Sequence, residues 1–161
     1  MLIFTTPEID AFWREACKAT GIDPTTTHHA GTFAEPRKDV HVAFIEELAG
    51  MARDGQKRGT AHMQLHFEHE GIRMREAGDC WIVTTVTGTP LCVVRITNVA
   101  ITPFIEVGEA FAASEGEGDL SVAHWRGAHL GYFREQCDLW GHEWCDDAPV
   151  VCESFELVYR P

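Results

Sequence analysis

Of the 13 basic side chains in this 161-residue sequence only three are lysine, Lys18, Lys38 and Lys57, against ten arginines. A guanidinium keeps its proton in any protein setting, whereas burial can strip an amine of its own. A chain that takes most of its positive charge from Arg yet sets Lys57 at a helix-to-strand junction therefore marks a place for a base or an adjustable cation. Imidazoles follow closely, with His62 and His66 on the polar positions of an alternating run and His69 just beyond. On an extended strand, residues i and i+4 lie about 13 Å apart, too far to share a metal ion, so this pair reads as a polar strand face. Cys137, His142, Cys145, Asp146 and Cys152 supply ligand types but no Cys-x-x-Cys pair, and no metal is expected there. The Glu117-Gly118-Asp119 loop offers carboxylates of the kind a metal-dependent nuclease uses. Trp81, Trp125, Trp140 and Trp144 are able to stack on a base, although large aromatics more often pack a core. Arg126 follows Trp125 directly and can reach a phosphate or base edge, or pair with the acids upstream.

These side chains need elements to hold them. Thr6-Pro7 reads as an N-cap with proline at the first helical position, and Ile9, Phe12, Trp13 and Ala16 recur at helical spacing up to Gly21. From Asp23 to Lys38 the Thr, Pro, His and Gly content, including His28-His29, predicts a long loop of the kind that serves as a lid. A second helix is expected from Asp39 to Asp54, with Val40, Phe44, Leu48 and Met51 on its buried face and Gly55 ending it. Strict alternation from Thr60 to Phe67 predicts a half-buried strand. Cys80–Val86 and Leu91–Thr97, joined by Gly88-Thr89-Pro90, predict a hairpin. A short strand runs up to Glu106, Val107–Ser114 is a short helix, Ser121 caps a longer one through Phe133, and Val150–Tyr159 is a closing strand. The order suggests an α+β fold, a mixed sheet or small barrel flanked by helices.

Composition bounds what such a fold serves. The size suits one structural domain with an ordinary globular composition. A net charge of −12 opposes a broad surface for polyphosphate or anionic lipid. The imbalance is uneven: residues 1–95 carry 13 acids and 10 bases, and residues 96–161 carry 12 acids and 3 bases. Arg53, Lys57, Arg58, Arg73, Arg75 and Arg95 thus gather in a stretch that is locally positive or simply charge-balanced. No signal peptide or membrane-spanning run is found, and six widely spaced cysteines suit a reducing cytoplasm.

Three segments in order carry a resemblance. They are Gly55-Gln56-Lys57-Arg58-Gly59-Thr60-Ala61, then Leu91-Cys92-Val93-Val94-Arg95-Ile96-Thr97-Asn98-Val99, then Pro103-Phe104-Ile105-Glu106-Val107 through Phe111-Ala112-Ala113-Ser114-Glu115-Gly116-Glu117-Gly118-Asp119 to Trp125-Arg126. The set closely resembles the ASCH domain family, in its bacterial single-domain branch, over approximately residues 38–136. On this reading residues 1–37 are an N-terminal helix and loop packed on an ASCH-like domain at 38–161. The resemblance implies a PUA-like mixed β-barrel with a ligand cleft. It also implies a link to RNA and two known activities, hydrolysis of N4-acetylated cytidine by small members and ribonuclease action in another.

For the amidohydrolase members the resemblance places a working Lys and Thr on Lys57 and Thr60, and a Glu on Glu115, with Glu106 and Glu117 close by. Gly59 departs from the commoner pattern, where a bulkier residue stands. Amide hydrolysis needs an attacking oxygen, an acceptor for its proton and a partner for the oxyanion. Thr60 would attack or orient water, Lys57 would act as base or anion stabiliser if burial lowered its pKa, and Glu115 would hold Lys57 or relay protons. Arg58, Arg95, Trp125 and Arg126 are the expected ligand-binding residues, and no cofactor is expected. The expected partner is a small nucleoside or nucleotide, or a short RNA. The competing readings are a non-catalytic RNA or nucleotide-binding module and a ribonuclease.

Overall fold

The computed structural model describes residues 1–37 and 40–161. Helix α1 (Pro7–Thr20) begins where the Thr6 side chain accepts the Ile9 amide, satisfying a donor that the first helical turn cannot. Strand β1 (His28–Gly31), helix α2 (Val42–Arg53), strand β2 (Gly59–Met63) and helix α3 (Gln64–Glu70) follow. Then come β3 (Cys80–Thr84), β4 (Pro90–Pro103), helix α4 (Glu109–Ser114), helix α5 (Val122–Trp140), capped by Ser121, and β5 (Pro149–Tyr159).

The five strands make one mixed sheet in the order β1-β3-β4-β5-β2, with β1 parallel to β3 and the other neighbours antiparallel. Alternation along β3 and β4 sends side chains to two faces. Cys80, Ile82 and Val93 pack on Ile9, Trp13 and Ala16 of α1, while Trp81, Val83 and Val94 pack on Leu48, Ala49 and Ala52 of α2. Helix α5 covers the β2–β5 end through Trp125, Phe133 and Cys137 against Ala61, Met63 and Val150. The architecture is α+β, as expected, but the sheet stays open. Its β1 edge is occupied by the N-terminal residues, with the Phe4 amide donating to the Ala30 carbonyl and the Thr32 amide to that of Leu2, and β2 is the other edge.

Three expectations are corrected. The segment expected to be all loop up to Lys38 contains β1, whose pairing with β3 is a distant contact with no local sequence signal. The strand expected to run to Phe67 stops at Met63, because Gln64-Leu65-His66-Phe67-Glu68 are compatible with a helix whose Phe67 is buried and which Gly71 ends. Helix α2 is described from Val42, its buried residues are Ile45, Leu48, Ala49 and Ala52, and Phe44 remains 44% exposed. The start expected for this helix at Asp39, the domain boundary at 38 and Lys38 itself lie outside the described residues.

Candidate functional site

The turn that ends α2 sets the position of Lys57, since the amides of Gln56 and Lys57 both donate to the Met51 carbonyl. Two residues later β2 begins, and its alternation puts Thr60 and His62 on one side of the strand. The end of α4 is tied alongside, with the Arg58 amide donating to the Ser114 carbonyl at 2.7 Å. This approach explains Gly59, because a Cβ there would lie 2.5 Å from Ser114 Oγ. Gly116, at φ +77°, turns the chain where a Cβ would meet the Gln56 carbonyl oxygen at 2.8 Å, and its own carbonyl accepts the Gln56 side-chain amide at 2.9 Å. Glu115 and Glu117, on either side of Gly116, both reach Lys57.

The three charges meet at the wall of a cavity of about 520 Å³. Lys57 Nζ donates to Glu115 Oε2 at 2.7 Å and to Glu117 Oε1 at 2.5 Å, and Lys57 is only 2% exposed. Thr60, His62 and His129 line the same cavity, together with the apolar Phe33, Phe44 and Leu48. Burial opposes the charge on Lys57, but the two carboxylates outweigh it and hold its pKa above the ordinary 10.5. Lys57 is therefore an ammonium ion here, and the expectation of a lysine base with a lowered pKa is corrected.

Glu115 is also buried, which alone would raise its pKa, yet Lys57, His129 and the Trp125 indole keep it below its usual value. Trp125 Nε1 donates to Glu115 Oε1 at 2.7 Å. His129 stacks on Trp125 with ring centroids 4.3 Å apart and donates from Nδ1 to the Trp125 carbonyl at 2.9 Å. Its Nε2 is thereby turned toward Glu115 Oε1, 3.6 Å away. With Glu135 also in the wall, the cavity sets one ammonium against three carboxylates.

Behind the wall lies a second ionic group. Arg75 and Glu153 form a buried bidentate pair, with Arg75 Nε 3.0 and 2.9 Å from the two carboxylate oxygens. The Arg75 guanidinium lies over Trp81 at 4.5 Å and donates to His29 Nε2 at 2.9 Å. It also approaches His62 Nε2 at 3.5 Å. Burial, followed by the charge of Arg75, pushes the pKa of His29 down to about 3 and that of His62 well below its ordinary value.

The sequence-predicted residues separate into two groups. Lys57, Thr60 and Glu115 come together in the cavity, and Trp125 supports them from behind, buried and bonded to Glu115. Arg58, Arg95 and Arg126 are not among the lining residues. Arg95 pairs with Glu156, and Arg126 donates to the carbonyls of Ile105 and Val107. Nor does the basic stretch form a positive face, because Arg53 pairs with Asp54, Arg73 with Asp79, and Arg75 with Glu153. His62 and His66 are not 13 Å apart: the chain turns into α3 between them and their rings stack at 5.6 Å. Among the described residues no three His, Cys, Asp or Glu side chains converge as a metal site. The Glu-x-Glu and Thr-x-His spacings were visible signals for Glu117 and His62, whereas nothing local announced the Arg75–Glu153 pair.

A family model described as the ASCH domain matches residues 39–159. Among solved structures, the chain is similar to an ASCH domain from Lactobacillus crispatus JV V101. That match has 29% identity and a TM-score of 0.83 and covers 99% of this chain and 100% of that one. It shares its fold with a protein from Enterococcus faecalis V583 at 24% identity and a TM-score of 0.77, covering 94% of this chain and 92% of that one. No curated protein matches the chain.

Proposed function

Since the chain belongs to the ASCH domain family, we propose that its cavity binds a nucleoside and hydrolyses an N4-acylated cytidine. The observation that carries this reading is the buried Lys57 ammonium clamped between Glu115 and Glu117, with Thr60 in the same wall. Thr60 attacks the acyl carbon or orients the water that does, and a carboxylate of the Glu115–Glu117 pair accepts the proton released. Lys57 stabilises the oxyanion as the C=O π electrons move to oxygen. Collapse breaks the acyl C–N4 bond, and the leaving amine takes up the proton that the carboxylate accepted; where Thr60 itself attacked, a water then hydrolyses the acyl-Thr60 ester and frees the hydroxyl. The net reaction adds one water and yields a carboxylic acid and cytidine.

The cavity's excess of carboxylates favours a neutral ligand over a phosphorylated one, and the molecule's −12 charge weighs in the same direction against long RNA. The test is incubation with N4-acetylcytidine and with a short RNA, products followed by chromatography. Wild type is expected to release cytidine, and Lys57→Ala and Thr60→Ala to lose at least a hundredfold of that rate. RNA fragments would favour the ribonuclease reading, retained binding without turnover would favour the binding module, and Lys57→Ala turning over like wild type would overturn the site.

A further inference from the structure

The Arg75–Glu153 pair and the ring beside it do work that the hydrolytic residues leave unexplained. A guanidinium can only donate. Arg75 Nη2, 3.5 Å from His62 Nε2, therefore favours a lone pair on that nitrogen and leaves the ring's single hydrogen on Nδ1. Arg75 itself cannot swing away, because Glu153, His29 and the Trp81 face hold it on three sides. The charged and titratable groups acting on His62 from neighbouring elements are Arg75, His66, the N-terminal ammonium and Lys57, none of them an anion that would favour imidazolium. His62 is 6% exposed and is one of the residues lining the cavity. His62 is thus a neutral donor of fixed tautomer in a wall otherwise supplied with carboxylate acceptors.

Its position along β2 says what it meets. Thr60 and His62 stand two residues apart on one side of the strand, their backbones about 6–7 Å apart, and the acyl carbon of an N4-acylated cytosine lies about 5–6 Å from its ring carbonyl oxygen, so one ligand can span both side chains. We infer that His62, held by Arg75, donates its Nδ1–H to the ring carbonyl of the bound pyrimidine and so selects ligands that carry an acceptor there. The inference rests on the acylcytidine reading of the cavity. This contact is the same in ground and transition states, so it acts on binding and not on the chemical step.

Two experiments decide it. In ¹⁵N-detected spectra of the wild-type imidazoles, His62 is expected to remain neutral and protonated on Nδ1 from pH 8 to pH 5. Protonation on Nε2, or titration within that range, would overturn the assignment. Kinetics then compare N4-acetylcytosine with 4-acetamidopyrimidine, which lacks the ring carbonyl. Wild type should show a KM for the first roughly tenfold or more below that for the second. His62→Leu should abolish the preference by raising the KM of N4-acetylcytosine alone, with kcat within about threefold. His62→Asn, whose amide can offer a donor near the position of Nδ1, should keep most of it. A His62→Leu enzyme that retains the preference overturns the inference while the hydrolytic reading stands, whereas a wild type that hydrolyses neither compound removes both.

Discussion

Lys57 is a charge taken fully out of water, and what keeps it there is the pair of carboxylates that Gly116 brings round to it. Removing one side of such a cluster costs more than the cluster contributes, because the other side is left buried and unpaired. Lys57→Met is expected to destabilise the protein by about 3–5 kcal/mol. Adding Glu115→Gln to it should recover part of that loss, a coupling that denaturant melts of the two singles and the double mutant would read. The pH dependence has two components of defined sign. Glu115 is held below its ordinary 4.5 and Lys57 above its ordinary 10.5, so their contribution is complete between those values. It is lost as acid passes below 4.5 through the folded value of Glu115, and as base passes above 10.5 through that of Lys57. The buried neutral imidazoles act earlier: the unfolded chain takes up protons at His29 and His62 below about 6.5 while the folded chain does not. Melts at pH 8, 6.5 and 5 should therefore show a loss of stability that begins near 6.5, well before Glu115 is protonated. Equal stability at all three would contradict the burial of those rings.

Among the elements, the junction of β2 with α4 does most to build the site, and Gly59 is its closest point. Gly59→Ala drives a methyl against Ser114 Oγ and is expected to cost about 1–3 kcal/mol. Adding Ser114→Ala removes the obstructing oxygen, and the double mutant should melt nearer to wild type than Gly59→Ala does. If the second change brings no recovery, crowding is not the reason for glycine there. Periodicity and caps made much of this legible beforehand: Thr6-Pro7, the β3–β4 hairpin, Ser121 and the final strand all declare themselves within a few residues. The segment from Thr60 to Phe67 did not, because Ala61, Met63, Leu65 and Phe67 alternate as a strand would while Met63 and Phe67 are also one helical turn apart. The same difference in range divides the site. The acids around Gly116 are spaced in the sequence itself, but Arg75 meets Glu153 across 78 positions, and no window of sequence contains both.

At the scale of the whole molecule, the net charge is −12 and four of the exterior arginines, Arg53, Arg73, Arg95 and Arg160, already have a carboxylate partner. Binding of an uncharged nucleoside should then change less than about twofold between 50 and 500 mM salt, because no phosphate contacts release counterions. A titration that weakened steeply with salt would point instead to phosphate contacts and to the RNA-binding reading. The sheet order sets a further property. Lys57, Thr60 and His62 ride on or beside β2, the last strand at one margin, joined to the sheet through β5 alone. Central strands β3 and β4 are paired on both sides, so their amides exchange with deuterium only when the whole domain opens. Those of β2 can be released by losing a single seam. Native-state exchange should find β2 opening at a lower free energy than β3 and β4, and a bound nucleoside should slow β2 first, the result expected if breathing at the sheet's margin admits the ligand.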